Sequence, residues 1–462
     1  MKSPNGMTRE RKLSRWMVIM ILFCFMLCSC KSTKPTRDTN FLPDGLYREV
    51  TNPDTINIAA IPWKLMFPDT VLQHLIDEGI QKNMDMQIAS ARIQQAEANF
   101  KQSGAALFPT LNIQATENAG KSVFARYQLG AVSSWEIDFW GKLRNARKAN
   151  KMALLQSEAY KRSVQTQLVS DIVTTYYALL GLDAQLAITE QTLAIRKKDV
   201  ETVKLLKESN VVTGAAVVQS EAARYSAEVT LPDLHRSIRE TENSFSVLLG
   251  RTPGPIPRTT LDQQQANMDM KTGVPAQLLA YRPDVQQTEF QLRYATALVH
   301  AARAYFYPSL NITAQAGWTT NSLSELLNAS TVIGNLVANL TQPIFNQDLN
   351  KQRLSLAKAR EAEFLADFQH SLLVAGQEVS DALFKYQMAN DKIYIRDRQI
   401  EYLQKAVDYT KELMRYTSGT NFTDVLTSEE SLLAAQLNSV NDKLQQLQGI
   451  VSLYRSLGGG WK

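Results

Sequence analysis

The chain has 462 residues, of which 44% are hydrophobic and 21% charged, and carries a formal net charge of +5. Residues 1–29 hold five basic side chains and one acidic, so the rest is near +1, a balance that excludes a basic protein built to hold nucleic acid. The three cysteines, Cys24, Cys28 and Cys30, stand together, which excludes a disulfide framework or a Cys-based metal centre in the 432 residues beyond them.

Lys2, Arg9, Arg11, Lys12 and Arg15 precede an apolar run from Trp16 to Leu27 that is too short to span a bilayer as a helix. It ends in Leu27-Cys28-Ser29-Cys30, which resembles the bacterial lipoprotein signal. Residues 1–29 are therefore expected to be a signal peptide, with Cys30 the acylated first residue of the mature protein. Residues 30–68, with prolines at 35, 43, 53, 62 and 68, read as an extended linker.

A helix is expected from an N-cap at Asp69 to about Ala106. Two alternating segments follow. Leu111, Ile113 and Ala115 alternate with Asn112, Gln114 and Thr116, and the apolar residues from Tyr127 to Phe139 alternate with polar ones, with a polar loop at 118–124 between them. Residues 142–209 then form 68 positions without proline and with one glycine, Gly181, which at about 1.5 Å per residue is a helix of roughly 100 Å. A returning helix is expected over 215–249, interrupted at Pro232, and 251–275 reads as an irregular connection.

The whole order then recurs. Phe108-Pro109-Thr110-Leu111-Asn112-Ile113 returns as Tyr307-Pro308-Ser309-Leu310-Asn311-Ile312, and Leu249-Gly250 as Leu457-Gly458, the offset drifting only from 199 to 208. Strands follow at 310–319 and 332–341 around a polar loop at 321–330. A second long helix spans 350–417, with Gly376 its one glycine, and a return runs from Asp424 to Leu457. Heptad spacing at Ile393, Ile400, Val407 and Met414, and along Leu433, Leu437, Val440, Leu444 and Leu447, fits coiled-coil packing. Residues 69–250 and 276–462 are thus two copies of one half-domain. Ten-residue amphipathic strands with aromatic ends suit a transmembrane barrel wall, but four strands cannot close one, so several chains are required.

No catalytic constellation accompanies this architecture. His74, His235, His300 and His370 are isolated, no phosphate loop or nucleophile elbow occurs, and Gly458-Gly459-Gly460 follows a helix instead of preceding one. No enzyme, cofactor or metal is expected.

The parts in this order resemble the TolC/OprM outer-membrane factor family, in particular its lipoprotein branch serving RND-type multidrug efflux. The residues carrying the resemblance include SWEIDFWGKLRNAR from Ser134, LTQPIFNQ from Leu340 and RYTSGTNFTDVLTSEESLLAAQ from Arg415. Arg282-Pro283-Asp284, followed by Ala302-Arg303-Ala304-x-x-x-Pro308-Ser309-Leu310, is the most specific run. The resemblance implies a mainly α fold with a membrane β-barrel: a homotrimer in which three sets of four strands make one twelve-stranded barrel above an α-helical tube. It implies an outer-membrane, lipid-anchored exit duct that meets a periplasmic adaptor and an inner-membrane RND-type transporter. The family's closed tip maps to Thr213-Gly214 and Ser418-Gly419, with Tyr416 and Gly419 keeping its Tyr-x-x-Gly pattern and Asp424 matching an aspartate that narrows the pore. Two departures stand out: the turn before Asp424 is one residue shorter, and Thr427 replaces a second aspartate. A plain helix N-cap is the other role open to Asp424. The alternatives to a duct are a lipid-anchored coiled-coil scaffold without a pore, an outer-membrane component of a protein secretion system, and a lipoprotein enzyme.

Overall fold

A computed structural model describes residues 62–120, 123–264, 282–416 and 422–461. The chain divides into units Met1–Pro43 and Asp44–Lys462, and every described residue belongs to the second. The expected signal peptide, Cys30, most of the linker and Gly419 lie outside the described residues.

A short α1 (Trp63–Met66) precedes α2 (Thr70–Lys82). Asp69 caps α2 as expected, its carboxylate accepting from the Val71 and Leu72 amides. Its second oxygen accepts from Tyr176 at 2.9 Å, Thr259 at 2.6 Å and Gln264 at 2.8 Å. Burial opposes ionisation of Asp69, but these donors outweigh it and hold the carboxyl below its ordinary range. One cap residue thereby ties α2 to the long helix and to the connection between halves.

The helix expected to run on to Ala106 is instead two, because α3 (Met84–Ala105) starts afresh. Asn83 makes the break. Its side chain accepts from the Asp85 and Met86 amides and donates to the Leu248 carbonyl at 2.9 Å, so it caps α3 and fastens the bend.

Strands β1 (Thr110–Gly120) and β2 (Val123–Ile137) lead into α4 (Lys142–Glu208), a continuous helix of 67 residues. No side chain at Gly141 can cap α4, so Asp138 does it from upstream, accepting from Leu143 N at 3.0 Å and Arg144 N at 2.8 Å. Gly141 sits at φ 76°, the left-handed turn that lets Asp138 reach back. The chain returns through α5 (Gly214–Glu228) and α6 (Thr230–Leu248). Their break falls at Val229, three residues before the expected Pro232, because a proline is tolerated in the first turn of α6, where amide partners are missing anyway.

The second half has α7 (Pro283–Ala304), β3 (Ser309–Thr320), β4 (Val332–Thr341), α8 (Leu349–Tyr416, 68 residues) and α9 (Phe422–Ser456). The first hairpin loop is shorter than expected, as β1 and β2 run to Gly120 and from Val123. All four strands form one antiparallel sheet in the order β1-β2-β3-β4, so the halves join through β2 and β3.

Packing is helix on helix. Trp63, Phe67, Leu72, Ile172, Tyr176 and Phe245 share a core with Val379, Leu447 and Leu453. One stretch of α4 is apolar enough to cross a membrane by composition, but this is the part that buries Leu168, Ile172, Val173, Leu179 and Leu180 in that core. Gly181 lets α9 close on α4, since a Cβ there would lie 2.4 Å from Leu444 Cδ1. The Arg-Pro-Asp run proves structural. Arg282, with 6% of its side chain exposed, pairs with Asp284 and with Glu378 at 2.7 Å, and donates to the Ser456 carbonyl at 2.9 Å. It thus joins the starts of α7, α8's middle and the end of α9.

Candidate functional site

Register decides what the sheet presents. Leu111 pairs with Ser133, Ile113 with Ala131 and Ala115 with Leu129; then Leu129 with Trp318, Ala131 with Ala316, and Trp135 with Ile312; then Ile312 with Ala338, Ala314 with Leu336, and Leu310 with Leu340. Side chains alternate along each strand, so these residues share one apolar face. The other face carries mainly neutral amides and hydroxyls, Asn112, Gln114, Gln128, Asn311, Thr313, Gln315, Asn335 and Asn339, with charges only near the two ends of β2, at Arg126 and Glu136. Leu111, Ile113, Leu336 and Leu340 are each more than two-thirds exposed. Both outer strands, β1 and β4, have a free edge in the single chain. An exposed apolar face with two open edges is unstable in water and is what a shared membrane wall requires.

The sheet is fastened to the helices by a collar of aromatic and charged residues. Trp135 donates to the Leu107 carbonyl at 2.9 Å, just before the first copy of the duplicated proline motif, and Trp140 to the Pro308 carbonyl at 2.7 Å in the second copy. Trp140 also stacks on Tyr307 with ring centres 4.7 Å apart. Glu136, on the polar face, pairs with Lys142 Nζ at 2.7 Å.

At the opposite end of the long helices, Val203, Ala216, Ala223, Phe422 and Leu426 form one small core that holds α4, α5 and α9 together. Thr423 Oγ1 and Gln219 Oε1 meet across it at 3.4 Å. The first turn passes through Asn210 at φ 60°, a left-handed residue type-matched to that role. Tyr416 ends α8, 82% exposed, beside Tyr409, Glu412 and Leu413. Asp424 is exposed within the first turn of α9, where a carboxylate complements the helix dipole; it is not the N-cap, since the helix already begins at Phe422. The structure therefore brings Tyr416 and Asp424 to the same end of the helices.

One buried group of charges is marked by no motif in the sequence. Lys411 of α8 pairs with Glu429 of α9 at 2.6 Å and lies 3.8 Å from Asp199 of α4. Arg196 is 4% exposed beside them, its Nε and Nη1 without hydrogen-bond partners, at a cavity of about 170 Å³ that Asp408 also lines. Burial first, then the charge of Glu429, pushes the Asp199 carboxyl up to about 6. A signal existed: Thr189, Leu193, Arg196, Val200 and Val203 are all buried, and they follow a four-three alternation in which Arg196 takes a core position.

Long paired helices ending in an amphipathic, open-edged sheet define a channel-wall protein of an outer membrane. The chain belongs to the Outer membrane efflux protein family, which matches residues 75–251 and 274–459. It is 30% identical over 412 residues to the cation efflux system protein CusC of Escherichia coli O6:H1, covering 87% of this chain and 88% of that one. It is 28% identical over 460 residues to the probable outer membrane lipoprotein SilC of Salmonella typhimurium, covering 96% and 98%. A crystal structure of CusC superimposes with a TM-score of 0.82 at 27% identity, over 91% of this chain and all of that one. The family expected from the sequence is the family found, and its fold is the TolC-like one.

Proposed function

We propose that the protein is a passive exit duct of the outer membrane, assembled from three copies and acting without covalent chemistry of its own. The observation that carries this reading is the sheet: its register sorts apolar from polar residues onto opposite faces, and its two edges are free. Three such sheets joined β1 to β4 make twelve strands, enough to close a wall with a wet interior. The helices support the same closure. Across the layer α5 lies outside α4 and α8 lies outside α9. Both outer helices carry exposed seven-residue repeats: Val211, Val218 and Tyr225 around and along α5, and Ile395, Tyr402, Tyr409 and Tyr416 on α8. Two different edges on one chain meet head to tail, which is the geometry of a ring.

In this reading Cys30 is acylated and anchors the chain to the outer membrane. The tip bearing Tyr416, Gly419 and Asp424 forms the aperture and meets a periplasmic adaptor and an inner-membrane transporter. Three Asp424 carboxylates at a constriction attract cations and repel anions.

The test is conductance. Purified protein, shown to be a trimer by native mass spectrometry, is expected to form channels in planar bilayers, and Asp424→Ala to lower cation preference. Well-folded trimer that leaves bilayers silent would favour the pore-less scaffold and sink the duct.

A further inference from the structure

A groove of about 310 Å³ opens just below the sheet, with α7 as its floor and the ends of α4 and α8 as its walls. Leu143 and Ala146 of α4, Leu298 and Ala302 of α7, and Leu356 and Phe364 of α8 make it apolar. Its charged residues are all of one sign: Lys142, Arg353 and Arg360 stand around it, and no carboxylate lines it. Lys142 is engaged by Glu136, but Arg353 and Arg360 have no carboxylate partner among the described residues, and Arg353 rests on the Tyr305 ring at 4.6 Å. An apolar trough rimmed by two uncompensated guanidiniums is complementary to one kind of solute, an apolar body with an anionic head.

The pairing of Lys142 with Glu136 fixes where the groove faces. Glu136 lies on the polar side of β2, so the Lys142 rim of the groove lies on the side that the polar face of the sheet looks upon. In the assembled duct this is the interior. We infer that the groove is a docking station for anionic amphiphiles in transit, at the point where the helical tube gives way to the barrel. The inference rests on the duct reading. The solute reaches the groove from the water of the tube, with its alkyl or ring portion against Leu298, Leu356 and Phe364 and its carboxylate or sulfonate between Arg353 and Arg360. Such a station holds amphiphile at the barrel entrance, and the polar face beyond it is mostly neutral amides and hydroxyls up to Arg126 at the hairpin end of β2.

The experiment uses full-length protein in phospholipid nanodiscs and a diazirine-bearing dodecanoate added from water. The label is expected in peptides spanning residues 142–146, 294–302 and 353–364. Unlabelled dodecanoate is expected to compete at least tenfold better than dodecyltrimethylammonium, and the double variant Arg353→Gln/Arg360→Gln to lose at least tenfold in labelling. The wild-type competition stands even where the variant fails to fold. Label confined to the apolar face of the strands, equal competition by the cationic amphiphile, or undiminished labelling of a folded double variant would overturn the site. So would a groove labelled only by a diazirine phospholipid placed in the disc, which would make it a lipid site. Conductance of the same preparation separates the two readings: conducting trimer without groove label removes the station alone, whereas silent bilayers remove the duct on which it rests.

Discussion

Asp199 is a carboxylate whose burial and neighbours shift it toward holding a proton. It stands on α4 near Arg196 on its own helix, Lys411 on α8 and Glu429 on α9, so its charge bears on how three helices pack close to the tip. Its folded carboxyl titrates near 6, above the ordinary aspartate value, which means the folded state holds this proton more tightly than the unfolded chain does. The sign follows directly. The stabilisation is fully present at low pH, and it is lost as pH rises through about 6, by at most on the order of 3 kcal/mol. The apparent melting temperature is therefore expected to fall between pH 5 and pH 7.5. Asp199→Asn, which removes the titration and keeps the shape, is expected to flatten that fall and to raise the pH 7.5 value by about 2–4 °C. Intrinsic-fluorescence melts across pH 5–8 decide the matter, and parallel slopes for the two proteins would place the titrating group elsewhere. Lys411 and Arg196, which oppose the shift, are untouched by the substitution.

Elements were legible wherever a period ran long enough to average out local accidents. The absence of proline and the four-three alternation placed α4 and α8 within a residue or so of their observed ends, and strand alternation placed all four strands. Single side chains acting at a distance were not legible. Asn83 breaks a helix with no proline nearby, four residues after Gly79, by capping α3 and reaching Leu248, 165 positions away. The pairing of β2 with β3 joins residues that no local pattern connects, and Arg282 carried a recognisable motif without disclosing that its partners are Glu378 and Ser456. Of the candidate aperture, Tyr416 and Asp424 could be assigned to the helix ends from sequence; the buried Arg196 and Asp199 could not, because a charge in a core stripe reads as noise until its partners are seen. The same β2–β3 seam carries a prediction for the element as a whole. Gly130 and Gly317 face each other across it, and a Cβ built on Gly317 would lie 2.3 Å from the Leu129 carbonyl oxygen. The strands approach too closely there for any side chain, the sharp coil that closing a small barrel demands. Gly317→Val is expected to abolish heat-resistant trimer on unboiled gels while Gly334→Val, with open space around its Cβ, leaves it intact. Equal trimer yields from both would mean the close approach is not needed for assembly.

At the scale of the whole molecule, the two sheet faces make opposite demands on the same chemical change. Gln315 pairs with Asn335 on the polar face, and Leu336 pairs with Ala314 on the apolar one, so the two positions are near neighbours that differ chiefly in which way they point. If the apolar face meets lipid, Leu336→Arg puts a guanidinium into hydrocarbon at a cost of roughly 2–4 kcal/mol per chain near the midplane, falling toward either surface. Three copies multiply that cost in one trimer, and insertion is expected to fail, read as loss of the protein from the outer-membrane fraction. Gln315→Arg puts the same charge into the water-filled interior, where it remains solvated. That variant is expected to insert and to form channels, and because the middle of the polar face is neutral, with Arg126 and Glu136 near the two ends of β2, its three guanidiniums add a new ring of fixed positive charge in the barrel. The reversal potential under a salt gradient is then expected to move toward anion preference relative to wild type, most clearly at low ionic strength where screening over about 10 Å or less is weakest. An inserted, conducting Leu336→Arg together with an absent Gln315→Arg would invert the assignment of the faces, and with it the side on which the amphiphile groove opens.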